Sequence, residues 1–207
     1  MTCGSDAEMK RELDYFYVDG RFGGRQTWFW DPALRWAGCA ALAACDSCIS
    51  MAPNCPELCP FDARMLDRRH YMSFVRRMKA YLRPRLGGID SLELFAEGLS
   101  RYFRDVGVGV DMDRLPGSRS LREAERAVRR QIDGGLAIPF LMLRHKDKKE
   151  MDDYIWHWFM LTGYEEREDG LWVKATTYGE WRWQKLARLW DTGHDRKGGL
   201  ILYRVNV

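Results

Sequence analysis

The sequence predicts an α+β fold, with N-terminal helices followed by a C-terminal antiparallel sheet, in one domain over residues 1–207. Three observations carry that expectation. Apolar residues recur at helical spacing through a middle segment, about residues 60–133. After Gly134 and Gly135 the texture changes to short runs rich in aliphatic and aromatic residues. Two of these runs, 153–164 and 171–178, are joined by the polar stretch "EEREDG", which marks a hairpin.

The elements follow in order. The first ~35 residues read as irregular, with a glycine-rich "DGRFGGRQ". A helix begins near Gly38 and runs through "CAALAACDSCISM". It ends before "APNCPELCP", because Pro53, Pro56 and Pro60 lack the N–H that a helix interior needs. "PFDARMLDRRHYMSFVRRMKAYL" is a second helix with Pro60 near its first turn. "SLELFAEGLSRYFRDV" is a third, capped by Ser91. "SRSLREAERAVRRQID" is a fourth, starting at Ser118 or Ser120; Ser120 and Glu123 have capping-box spacing. Strands are expected at 136–143, 153–164, 171–178 and 200–207.

Composition narrows the classes of function. The 33 basic and 30 acidic residues balance too evenly to imply nucleic acid. The arginines of "LDRRHYMSFVRRMKAYLRPR" spread around a solvated helix face. The N-terminus has no basic start followed by an apolar core, so no signal peptide is expected. No apolar run reaches ~18 residues, so no membrane span is expected, and the cytoplasm is the default location. No cofactor motif is visible. Six cysteines are too sparse for a disulfide scaffold in a chain of 207 residues and should be thiols or metal ligands.

The cysteines divide by geometry. On a helix over 38–50, Cys45 is rotated by about 240° from Cys39, and Cys48 by about 180°. Cys45 and Cys48, three apart, share a face. Cys39 sits at the helix start, where unpaired N–H groups favour a thiolate. It reads either as a nucleophile or as a small buried thiol. Cys45, Cys48, Cys55 and Cys59 form C-x2-C-x6-C-x3-C, which reads either as buried thiols or as ligands for zinc or an iron–sulfur cluster.

A thiol nucleophile needs a base. His70 lies among arginines, His145 in a charged run, and His194 in a glycine-rich loop. His157 opens the apolar "HWFMLTGY", with Ile155, Phe159 and Leu161 on its side of the pleat. Such a histidine is rigidly held and shielded, as suits a general base. Its alternative is a core histidine satisfied by backbone.

The order of these features resembles the papain-like cysteine peptidases, closest to the bacterial branch of double-glycine leader peptidases. A glutamine precedes a helix-starting cysteine; helices intervene; "GGLAIPFLML", "HWFMLTGY" and "LWVKATTYG" follow. The resemblance implies a papain-like fold with Cys39 as nucleophile and His157 as base. It implies Gln26 as an oxyanion donor and Thr176 as the residue that orients His157. Ala40 stands where the family has glycine, and the Gln26–Cys39 gap is longer than the family's. Thr176 stands in place of Asn or Asp, so Asp191 and Asp195 are candidates for a missing acid.

The implied function is a thiol peptidase or amidase that acts on a peptide or amide, without nucleic acid or membrane partners. Two other readings stay open. One is an inactive peptide-binding module, its groove lined by Trp28, Trp30, Trp156, Trp158, Trp181 and Trp183. The other is a metal-binding protein that uses the four downstream cysteines.

Overall fold

A computed structural model of the chain describes residues 9–84 and 87–205. Its centre is an antiparallel sheet with helices on both faces. A short strand β1 (Lys10–Glu12) comes first, followed by a hairpin, β2 (Tyr17–Val18) and β3 (Arg21–Phe22). Next come α1 (Pro32–Ala37), α2 (Cys39–Met51), α3 (Arg68–Met78) and α4 (Leu92–Asp105). Strand β4 (Val110–Pro116) and α5 (Leu121–Asp133) lead to β5 (Ile138–Met142) and α6 (Lys148–Met151). The chain ends with β6 (His157–Arg167), β7 (Gly170–Thr177), β8 (Glu180–Lys185), α7 (Leu186–Trp190) and β9 (Gly198–Val205). Among the described residues no helix is long and apolar enough to cross a membrane.

The strand order is β4-β9-β5-β6-β7-β8, with β1 also paired to β6. Strand β6 organises the sheet. Its first half pairs with β5, its second half with β1, and its other edge with β7. A bulge between Leu161 and Tyr164 shifts the register against β7. Gly163 lies in that bulge, where a side chain would strike the β1 backbone. The pleat sorts the core into two layers. Trp158, Met160, Ile201 and Tyr203 pack with α2, α3 and α4, whereas Phe159, Leu161, Leu200 and Leu202 pack with α5 and α7. Pro139 is tolerated in the buried β5 because β9 pairs only with Phe140–Met142, so one edge at Pro139 needs no donor.

The α+β expectation holds, with helices and an antiparallel sheet, and the details refine it. Ser91 caps α4, and Ser120 with Glu123 forms the capping box of α5. The second expected helix starts later than Pro60. Asp67 caps α3 by accepting from the His70 N–H, and residues 63–65 form only a 3-10 turn. The expected strand over 153–164 begins at His157, because Lys148–Tyr154 are helical. The segment 60–133 is not wholly helical, since β4 lies inside it. The first ~35 residues hold β1, the hairpin and the start of α1.

Candidate active site

The N-terminus of α2 meets the start of β6 and the end of β7. Gly38 is at once the C-cap of α1 and the N-cap of α2. A side chain there would strike the Leu34 backbone, so glycine lets the two helices join without a linker. Cys39 is therefore the first residue of α2, half-buried, with the backbone N–H groups of Trp158, Ala40 and Cys39 itself aimed at its sulfur. Burial pushes the thiol above its ordinary pKa, and these N–H groups pull against it without prevailing. The helix start was expected to lower the thiol pKa; desolvation outweighs it.

Gln26, Cys39 and His157 line one cavity of about 30 Å³, with Asp46 and Thr177 beside them. That volume holds about one water. His157 is buried, and burial pushes its pKa down to about 4. Its Nε2 lies 2.7 Å from the Thr177 hydroxyl. When Nε2–H donates to that oxygen, Nδ1 is left with the lone pair a base requires. Tyr178 stacks on the imidazole, centroids 4.8 Å apart and planes 11° from parallel.

Backbone strain gathers around this histidine. Trp156, just before it, has φ 55°, and Tyr178, stacked on it, has φ 53°. The remaining described non-glycine residue with positive φ is Asp19, in the tight turn of the β2–β3 hairpin. The indole N–H groups of Trp156 and Trp158 donate to the carbonyls of Gly87 and Ile89, each at 2.6 Å. They tie the Gly87–Ile89 segment to the start of β6.

Two further hollows adjoin the cavity. Cys39 also borders a groove of about 440 Å³ walled by Pro32, Trp36, Ile89, Leu141 and Trp156. Among the described residues no charged side chain lines it. Thr177 and Tyr178 also border a pocket of about 310 Å³ that contains Asp153, Glu180, Trp181 and Arg182.

Cys39, His157 and Gln26 thus come together; Thr176 lines the same cavity, but the hydroxyl that contacts the imidazole is not its own. The Thr176 hydroxyl lies 3.0 Å from that of Thr162, and its neighbour Thr177 contacts the imidazole. The single-residue difference follows from the alternation of side chains along β7. Neither Asp191 nor Asp195 lines the cavity, and Asp191 pairs with Lys146. Ile155 precedes β6, so it does not share the pleat with His157. The expected tryptophan groove is divided. Trp156 and Trp181 border the two hollows, Trp158 stacks on Phe95 in the core, and Trp183 lies near Lys10 and Arg167. Trp28 packs edge-on against Tyr71, and Trp30 is exposed.

The four downstream cysteines stay free, and burial raises their thiols, Cys59 to about 12. Among the described residues no three His, Cys, Asp or Glu side chains are arranged to hold a metal ion. The metal reading of Cys45, Cys48, Cys55 and Cys59 therefore has no geometric support. His145 is a core histidine. Its Nδ1 accepts from the Asp147 N–H at 2.9 Å, and its Nε2 lies 3.0 Å from the Arg188 carbonyl.

Sequence reasoning missed Asp46, Thr177, Tyr178 and Trp36. Only Asp46 left a clear signal, as the one charge within "AALAACDSCISM". Comparison with protein-family models, curated proteins and solved structures matches nothing to this chain.

Proposed function

We propose that this chain is a papain-like thiol hydrolase, a peptidase or amidase. The observation that carries the reading is the single cavity shared by Cys39, His157 and Gln26, three residues distant in sequence. In this mechanism the Cys39 sulfur attacks the acyl carbon as His157 Nδ1 takes the thiol proton. The carbonyl electron pair moves to oxygen. Gln26 and the Cys39 backbone N–H stabilise the resulting oxyanion. The C–N bond breaks, and the imidazolium gives its proton to the leaving amine. Water then adds to the thioester, returning a proton through His157 and releasing the acid.

The resting dyad is neutral, thiol and imidazole, because burial opposes both charges. His157 acts as a base during the attack and does not hold a preformed thiolate. The proton return also orients the substrate. The leaving amine lies on the imidazole side, toward Thr177, Tyr178 and the polar pocket, and the acyl part lies in the apolar groove.

An inactive binding module is the second reading. It is favoured by Thr177, whose neutral hydroxyl holds no imidazolium in place as a carboxylate would. Alkylation with iodoacetamide, followed per cysteine by mass spectrometry, separates the two. A hydrolase alkylates Cys39 far faster than Cys45, Cys48, Cys55 and Cys59, and His157→Ala removes the advantage. Equal rates at Cys39 and these four other thiols would sink the hydrolase reading.

A further inference from the structure

Asp46 is a buried carboxylate in the middle of α2, seven residues after Cys39 and on the wall of the same cavity. It gathers three other segments of the chain. Tyr15, from the N-terminal arm, donates its hydroxyl at 3.0 Å. Tyr71, from α3, donates at 2.6 Å. The Gly24 backbone N–H also points at it. The loop that carries Gln26 is moulded to this cluster. Gly23 has φ 77°, and a Cβ there would sit 3.2 Å from the Asp46 Oδ2. A Cβ on Gly24 would collide with the Tyr71 hydroxyl. Gly23 lies against the carboxylate and Gly24 against the Tyr71 ring, three and two residues before Gln26.

We propose that Asp46 is a positioning residue, which holds the Gly23–Gln26 loop so that the Gln26 side chain faces the carbonyl oxygen of the substrate. This rests on the thiol-hydrolase reading. Asp46 touches no reacting atom; it acts through the Gly24 N–H. Three donors converge on it, so the carboxylate form is the one that fits. A protonated Asp46 turns one acceptor into a donor and releases part of the loop's anchor.

The acid titrates within reach of working pH. Burial pushes it up to about 6, against the pull of Tyr71, Tyr15 and Gly24. The other titratable groups around it are Cys45 and Cys48 on its own helix, both neutral thiols, and Cys39 and His157, which line the same cavity. No described cation contributes to its shift. Its folded pKa lies above the ordinary carboxylate value of 3.8, so folding takes up a proton between about 4 and 6. Stability from this group is therefore lost as pH rises through that window. A buried anion kept at the cost of stability, beside a candidate oxyanion donor, is the pattern expected of a functional group.

Two reactions of Cys39 separate this role from a structural one. Iodoacetamide alkylation displaces iodide at a saturated carbon and forms no oxyanion. Acetylation by p-nitrophenyl acetate passes through one. In Asp46→Asn the two tyrosine hydroxyls can rotate to suit the amide, but the Gly24 N–H cannot. The expected result is alkylation of Cys39 within about twofold of wild type and acetylation reduced by about 10- to 100-fold. The melting temperature at pH 7.5 should not fall. In wild type the ratio of acetylation to alkylation should drop as pH falls through about 6, whereas in Asp46→Asn it should be low and flat.

Tyr71→Phe, which removes one donor and keeps the ring, should show the same signature more weakly. Acetylation that survives in a folded Asp46→Asn protein overturns the proposal and leaves the hydrolase reading intact. A parallel loss of both reactions with a lower melting temperature also overturns it, because that is what a purely structural tie would do. A wild-type Cys39 that reacts selectively with neither reagent removes the hydrolase reading and this proposal together.

Discussion

Cys39 stands between two unlike surfaces. On one side, α1, β5 and the Gly87–Ile89 segment enclose an apolar groove with an exposed Trp36 at its rim. On the other, β7, β8 and the turn before β6 present hydroxyls and charges, including the Asp153–Arg182 ion pair. The first surface can gain from burying hydrocarbon, at roughly 25 cal/mol per Å². The second keeps its groups solvated and offers hydrogen bonds. On the proposed hydrolase reading, recognition and proton transfer occupy separate walls, so each can be damaged alone.

The largest expected effect lies at the boundary of the two walls. Gln26→Ala should reduce acetylation of Cys39 by p-nitrophenyl acetate by about 10²- to 10³-fold and spare alkylation. Equal loss of both would mean that Gln26 merely props up the fold.

The apolar wall comes next. Trp36 is 82 % exposed, so Trp36→Ala should leave the melting temperature unchanged. Its effect should fall on the acyl group. The preference for p-nitrophenyl hexanoate over the acetate should drop by about tenfold, the scale set by an apolar pocket. An unchanged preference would place the acyl chain elsewhere.

How much of this was legible in the sequence depends on what each residue must satisfy locally. The capping box at Ser120 and the start of α2 at Cys39 were legible because caps and glycine junctions are local chemistry. Strand β4 was hidden because the alternation of Val110, Asp111, Met112 and Asp113 is broken at Arg114, which makes the run too short to stand out at a sheet edge. Cys39 and His157 could be singled out by residue type and position. Thr177 could not be told from Thr176, because only the register of β7 decides which hydroxyl meets the imidazole. Trp36 drew no reading from the sequence, because its groove needs walls from three separate segments.

The polar wall sets the pH response. Thr177→Asp would place a carboxylate where a hydroxyl now sits 2.7 Å from His157 Nε2. An adjacent anion favours imidazolium, so the His157 pKa should rise from about 4 by about 1–3 units. The histidine is then a free base only at higher pH, and the acid limb of the reaction moves up with it. NMR titration of the His157 ring reads this directly. An unmoved pKa would mean that the new carboxylate does not reach the ring.

The smallest effect concerns the turn that closes the polar wall. Tyr178 and Gly179 connect β7 to β8 with φ values of 53° and 76°. Asp19 and Gly20 connect β2 to β3 with nearly the same pair, 48° and 73°. Both are two-residue turns with positive φ throughout, where Asn and Asp are at ease and an aromatic residue is not. Tyr178 carries strain of about 1–2 kcal/mol that Asp19 largely avoids. What it gains is the stack on His157, with a ring pair contributing about 0.5–1.5 kcal/mol. Tyr178→Asn relieves the first and forfeits the second, so the melting temperature should scarcely move. The imidazole, however, loses its cover. Burial lowers its pKa, so admitting water should raise that pKa from about 4 toward the ordinary imidazole value of 6.5. A raised pKa at unchanged stability would show that the strained turn serves the base and not the fold.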